Sequence, residues 1–170
     1  MEGKKEWERF LQILMTETKF IAQEMHKCFE GDAWHGPSVR DVLEGVSAEQ
    51  AAAKPIPDAH SIWELALHIA AWVEHSRHAI DGKPLPLQLD TPEDWPRISG
   101  TDAEAWKQTH GHVFDSAKEM VKAIEKFPPE RITDTVPGRS YDFRQLFHGI
   151  VDHCIYHAGQ IALLKKIKSK

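Results

Sequence analysis

Asparagine is absent from all 170 residues, so the chain carries no N-glycosylation acceptor. Only two cysteines occur, Cys28 and Cys154. They are far apart and too few for a disulfide scaffold, which fits a reduced compartment. No apolar run approaches the roughly 18–20 residues that a membrane span needs. The opening residues, Met1-Glu2-Gly3-Lys4-Lys5-Glu6, show no apolar signal region. A positive field is missing too: the net charge is −5, which argues against nucleic-acid and anionic-membrane partners. The one basic run, Lys165, Lys166, Lys168 and Lys170, suits a last helical turn, where cations complement the helix dipole. A Gly-rich phosphate loop, a His-Glu-x-x-His motif and a Gly-x-Ser-x-Gly elbow are all lacking. What remains is a cytoplasmic protein of ordinary composition, 41% hydrophobic and 28% charged. Its length suits one domain over residues 1–170 with a sizeable core.

Histidine, by contrast, is abundant, with eleven residues. Only His153 and His157 stand four apart, the interval that stacks two side chains on one helix face. Leu146, Ile150, Ile155, Ala158, Ala162 and Leu163 keep helical rhythm beside them. Two neutral imidazoles one turn apart can share a divalent ion, each at about 2.0–2.1 Å for zinc. The candidate third ligand is His68, which sits among the apolar residues of a second helix. Three imidazoles in one core leave ring nitrogens in need of partners, which an ion would supply. The competing reading is three hydrogen-bonded core or rim histidines.

The helices themselves are legible from spacing and caps. Trp7, Phe10, Leu11, Leu14, Ile21, Met25 and Phe29 mark one face of a helix from about Lys4 to Phe29, stopped near Gly31. Ser38 is placed to cap a short helix with Val39, Val42 and Leu43. Ser47-Ala-Glu-Gln50 is a capping-box pattern for another. Ser61 and Glu64 form the box that opens the second long helix, which Asp81-Gly82 ends. Residues 83–100 form an apolar, proline-interrupted crossing loop of the kind that often makes a lid. Thr101-Asp-Ala-Glu104 reads as the box for a third long helix, which carries His110 on its apolar face and ends at Pro128-Pro129. Val136-Pro137-Gly138 marks a turn, and Asp142 is the candidate cap of the last helix, Phe143 to about Lys168. An all-α antiparallel four-helix bundle follows, with short extra helices and a long crossing loop between helices 2 and 3. That loop is long enough for a crossover, so strict up-down order is not required.

At this point a resemblance becomes specific. Gly36-Pro37-Ser38, His60-Ser61-Ile62-Trp63-Glu64, His68-Ile69-Ala70-Ala71-Trp72, Asp94-Trp95-Pro96 and His153-x-x-x-His157-x-Gly159-Gln160-Ile161 together resemble the DinB-like (YfiT-related) metalloprotein superfamily. The likeness spans nearly the whole chain. It implies a four-helix bundle with one divalent ion held by His68, His153 and His157, and many such proteins resemble homodimers. It also implies metal-dependent chemistry on a small molecule. Related proteins include transferases that use low-molecular-weight thiols, and others are read as hydrolases. The alternative is a non-catalytic metal- or small-ligand-binding protein on the same bundle.

Three neutral nitrogens leave coordination positions for a reactant, the pattern of catalytic sites. Zinc or nickel is the expected ion, although iron and copper also accept imidazole. Secondary candidates for catalytic roles are Glu64, one turn before His68, Gln160, three residues beyond His157, and His110. Glu64 has a bland counterpart in its capping box and His110 as a satisfied core histidine, while Gln160 is placed to orient a bound water or a group behind a ligand. Cys154 and Tyr156 point away from the ligand face, and Asp152 is expected to pair with His148.

Overall fold

The computed structural model describes residues 16–85 and 89–167. Among the described residues six α-helices form: α1 (Glu17–Glu30), α2 (Val39–Leu43), α3 (Ala48–Ala52), α4 (Ile62–Ile80), α5 (Ala103–Lys126) and α6 (Phe143–Lys166). A 3-10 turn, Pro129–Arg131, follows α5, and no strand forms among the described residues.

Helix starts follow the side chains that the sequence supplies. At Ser38 and Ser61 the hydroxyl accepts from the N–H three residues on, and Asp41 and Glu64 return the bond to the cap's own N–H. Asp142 caps α6 by accepting from Gln145 N–H at 2.9 Å. Of the box expected at Ser47, only the bond from Gln50 N–H forms, at 3.1 Å. Two expected boundaries move. The cap of α5 is Asp102 rather than Thr101, accepting from Ala105 N–H at 2.8 Å. A carboxylate there satisfies an orphan donor and also faces the positive end of the helix dipole. The first of the described helices, expected from Lys4, begins at Glu17, where Thr16 is extended and acts as its cap. The upstream part of that expectation, with Trp7, Phe10, Leu11 and Leu14, lies outside the described residues. α4 ends as expected, with Gly82 at φ +81°, a left-handed conformation that glycine adopts without steric penalty.

The four long helices form a ring in the order α1, α5, α4, α6. α4 and α5 are parallel. Trp63 near the head of α4 packs on Trp106 near the head of α5, ring centroids 5.1 Å apart, and farther along Glu74 faces His112 at 3.6 Å. α1 and α6 are parallel as well, since Glu17 and Arg144, at their two heads, pair at 3.0 Å. α4 and α6 oppose each other: His68 meets His157, and Trp72, one turn later in α4, meets His153, one turn earlier in α6. The path is therefore up-down-down-up rather than uniformly antiparallel. The connection after α4 has to travel back along a helix of 19 residues, about 28 Å at 1.5 Å per residue. It is the crossover that its length allowed.

The core is built where these faces meet. Ile21, Met25, Phe29, Trp63, Leu65, Ile69, Met120, Ile124, Phe147 and Ile161 are fully buried, each stabilising by about 1.5–3 kcal/mol. The buried indoles keep partners, Trp63 Nε1–H on Thr109 Oγ1 at 2.9 Å and Trp106 Nε1–H on the Val46 carbonyl at 2.8 Å, as polar tips in a core require. α6 presents two buried faces. Phe147, Val151, Cys154 and Ile161 enter the core, while Leu146, Ile150 and the histidine pair lie toward α4. Leu163, expected in the apolar stripe, is instead 65% exposed, and Tyr156 points outward as expected. The ring of His148 lies 3.6 Å from Glu17 on α1 rather than pairing with Asp152, because the parallel packing brings the two helix heads together. Between α5 and α6, Val136 N–H bonds the Tyr141 carbonyl at 3.0 Å, closing the expected turn at Val136-Pro137-Gly138.

Candidate metal centre

His68 sits on the second turn of α4, 5% exposed. His153 and His157 come from α6, one turn apart, and His157 is 6% exposed. Antiparallel packing of α4 on α6 drives the three rings together. His153 Nε2 lies 3.1 Å from His68 Nε2 and 3.1 Å from His157 Nε2, and a ligand atom from each lies within 4.8 Å of the others. Two imidazole nitrogens on one ion at 2.0–2.1 Å stand about 2.8–3.0 Å apart at an octahedral angle and about 3.3–3.4 Å apart at a tetrahedral one. The observed spacing fits.

The opposite ring nitrogens decide which lone pairs converge. His68 Nδ1–H donates to the Asp94 carbonyl at 2.7 Å, and Asp94 Oδ1 stands 3.3 Å from the same nitrogen. His157 Nδ1–H donates to Gln160 Oε1 at 2.9 Å. With Nδ1 protonated, each Nε2 presents a lone pair inward. His153 completes the set, and its Nδ1 is buried with no partner among the described residues. Burial lowers all three pKa values. For His68 it outweighs the opposing bond to Asp94, and for His157 the bond to Gln160. His153 falls to about 3 through burial, then through His157 and His68. A neutral His153 has a single N–H, so its Nε2 can donate to at most one of its two neighbours at 3.1 Å; the other contact sets lone pair against lone pair, a repulsion that a shared cation removes. The donor set fits one divalent ion.

The crossing loop locks the α4 side. Asp94 is 2% exposed; its carboxylate accepts from Trp72 Nε1–H at 2.9 Å and from Asp90 N–H at 2.9 Å. Asp90 itself is left-handed, φ +61°, which Asp tolerates better than most residues. Trp95 lies flat on His68, centroids 3.8 Å apart and planes within 8°, and carries His60 on its other face at 3.5 Å. The lid expected from the sequence thus lies on a histidine of the site itself.

The secondary candidates separate cleanly. Gln160 is at the site, holding His157. Glu64 is already engaged, by Ser61 N–H at 2.8 Å and Lys54 at 2.9 Å, with His60 at 3.6 Å. Burial alone would raise its pKa, but the Ser61 amide and Lys54 prevail and hold its carboxyl below the usual range. His110 is elsewhere, tilted against Phe114 at 4.7 Å beside a groove that includes Val46 and Trp106. Sequence reasoning gave Asp94 and Trp95 no role beyond the family motif. The available signal was an acidic-aromatic pair set between Pro92 and Pro96 in an otherwise apolar loop.

Fold and site together define a class: a helical bundle that presents three convergent histidines between two of its helices. Within that class, the family model described as the DinB superfamily matches residues 34–161, most of the chain, and the chain belongs to the DinB superfamily. No curated protein and no solved structure matches it. No helix among the described residues is long and apolar enough to cross a membrane.

Proposed function

We propose that this protein is a cytoplasmic metal-dependent enzyme in which His68, His153 and His157 hold one zinc or nickel ion and leave a position open for a small-molecule substrate. The observation that carries this reading is the convergence of three neutral Nε2 atoms beside a pocket that reaches His153. An ion so held supplies Lewis-acid chemistry, polarising a substrate and lowering the pKa of a water or thiol that reaches it. The chain's own residues do the positioning. Asp94 and Gln160 fix two ring tautomers, Trp95 holds the His68 ring in plane, and Trp72 anchors the loop that brings Asp94.

Thiol transfer is preferred to hydrolysis on the family resemblance. A bound water and a bound thiol both ionise near neutral pH on such an ion, and among the described residues no carboxylate lines the pocket to serve as a base. The same lack of a base is what a binding protein without turnover would show, and that is the second reading. Metal analysis of tag-free protein separates the possibilities. The wild type carries one ion per chain, and His153→Ala and His157→Ala carry none; full retention in either variant removes the assigned site. Turnover of an electrophile such as 1-chloro-2,4-dinitrobenzene with 2-mercaptoethanol, lost on chelation, supports the enzyme. A metal-loaded protein inert across a broad panel supports the binding protein.

A further inference from the structure

α4, α1 and the short α2 pack against α6, and one face of α6 is left to solvent along its second half. Asp152, Tyr156, Gly159, Leu163 and Lys166 are all exposed, at steps of four, three, four and three. That interval keeps side chains in one line along a helix. Tyr156 is 64% and Leu163 65% exposed. A lone exposed apolar residue needs no explanation, but these two flank a glycine at the centre of the line. A Cβ on Gly159 would meet nothing within 4 Å, so the packing of this chain does not call for glycine there. A glycine inside a helix weakens it, and it is the residue that lets another backbone come close. The line also reads the same in reverse. Asp152 lies seven residues before Gly159 and Lys166 seven after; Tyr156 lies three before and Leu163 four after. Neither the Asp152 carboxylate nor the Lys166 ammonium is engaged by another described residue. A second α6 turned end for end about Gly159 therefore sets Asp152 against Lys166 at both ends, with Tyr156 beside Leu163. A parallel copy would set like charge on like charge. Such self-complementarity is what a two-fold interface requires of its surface.

We propose that two copies of the chain pair through this face of α6, antiparallel, about a two-fold axis at Gly159. Asp152 and Lys166 make two equivalent ion pairs, and the partner's Tyr156 seats in an apolar groove of about 270 Å³ beside Leu163, lined also by Ile56, Ala59 and Leu164. Opposed helix dipoles favour the same direction. A seam of one helix from each side falls at the low end of interface sizes, below about 1,200 Å², so the expected dissociation constant is about 1–100 μM. The pairing does not rest on the metal-site reading. The seam does border that site, since Tyr156 meets His157 edge-on with 4.9 Å between ring centroids, so the variants below leave Tyr156 in place.

Sedimentation equilibrium of the full chain reads the pairing. The wild type passes from monomer to dimer across that range of concentration. Gly159→Leu puts a side chain on the axis, where the chain itself offers no obstacle; it keeps the wild-type circular dichroism and weakens the dimer at least tenfold. Asp152→Lys and Lys166→Asp each weaken it about fivefold, and the double variant, with the two charges exchanged, regains the wild-type affinity. That restoration separates this antiparallel register from any other use of the same face. A chain that stays monomeric up to about 1 mM, ten times the weakest constant expected, leaves the face to another protein or to residues 1–15 and overturns the proposal. A dimer indifferent to Gly159→Leu, or one that the double variant fails to restore, overturns it as well.

Discussion

Replacing Asp94 with Ala tests how the crossing loop supports the site. Three contacts meet at this side chain: the Trp72 indole N–H at 2.9 Å, the Asp90 amide at 2.9 Å, and His68 Nδ1 at 3.3 Å. The alanine variant leaves the indole and the Asp90 amide without an acceptor. Each donor stranded away from water costs about 1–3 kcal/mol. Asp90 is exposed, so water replaces much of its loss, and the indole is only partly covered. The expected destabilisation is therefore about 2–3 kcal/mol rather than twice the upper figure. The Asp94 carbonyl still receives His68 Nδ1–H, so the ring keeps its tautomer but loses the nearby negative charge. Changes to such supporting partners typically weaken metal affinity about 10–100-fold. Urea unfolding reads the first quantity, and competition with a chromogenic chelator reads the second. A cycle with Trp72→Phe isolates the indole bond: the double variant should lose about 1 kcal/mol less than the sum of the singles. Stability within 0.5 kcal/mol of wild type, about the noise of a surface change, together with unchanged metal affinity, would refute the role given to Asp94.

Two further outcomes follow from the same geometry. Gln160→Ala removes the acceptor for His157 Nδ1–H and should weaken metal binding about tenfold with little loss of fold stability, while Gln160→Glu restores it; equal affinity in all three proteins, by chelator competition, would count against Gln160. In the metal-free protein, the site histidines have lowered pKa values, His153 at about 3, against about 6.5 in the unfolded chain. Between those values the unfolded state binds protons that the folded state refuses, so stability is fully present above about pH 6.5 and is lost as the pH falls toward 3. Urea midpoints from pH 7 to 5 should therefore fall more steeply for wild type than for His153→Phe, and parallel curves would contradict the assignment.

Helix positions were legible because caps and apolar spacing are local. Ser38, Ser61 and Asp142 lie next to the N–H groups they satisfy, and each acts as the spacing implies. The histidine pair was equally local, since four residues along a helix fix two side chains on one face whatever surrounds them. His68 could be named a partner only because a buried imidazole needs one. Where local signals competed, the sequence was ambiguous: Thr101 and Asp102 both suit a cap, and only the helix geometry chose the carboxylate.

Three things depended on the folded chain. Helix direction did, because an amphipathic stripe is the same read from either end, so that α4 and α5 could pair in parallel only once the loop between them was long enough to return. The roles of Asp94 and Trp95 did, because a loop without periodicity carries no instruction about which helix it will lie against. The choice among Glu64, Gln160 and His110 did too, since sequence distance to a ligand says nothing about competing partners. Lys54 and Ser61 occupy Glu64, the ring of α5 carries His110 away, and one turn of α6 brings Gln160 onto His157. Local chemistry wrote the histidines and the helices that hold them; long-range packing decided where they meet and what stands behind each ring.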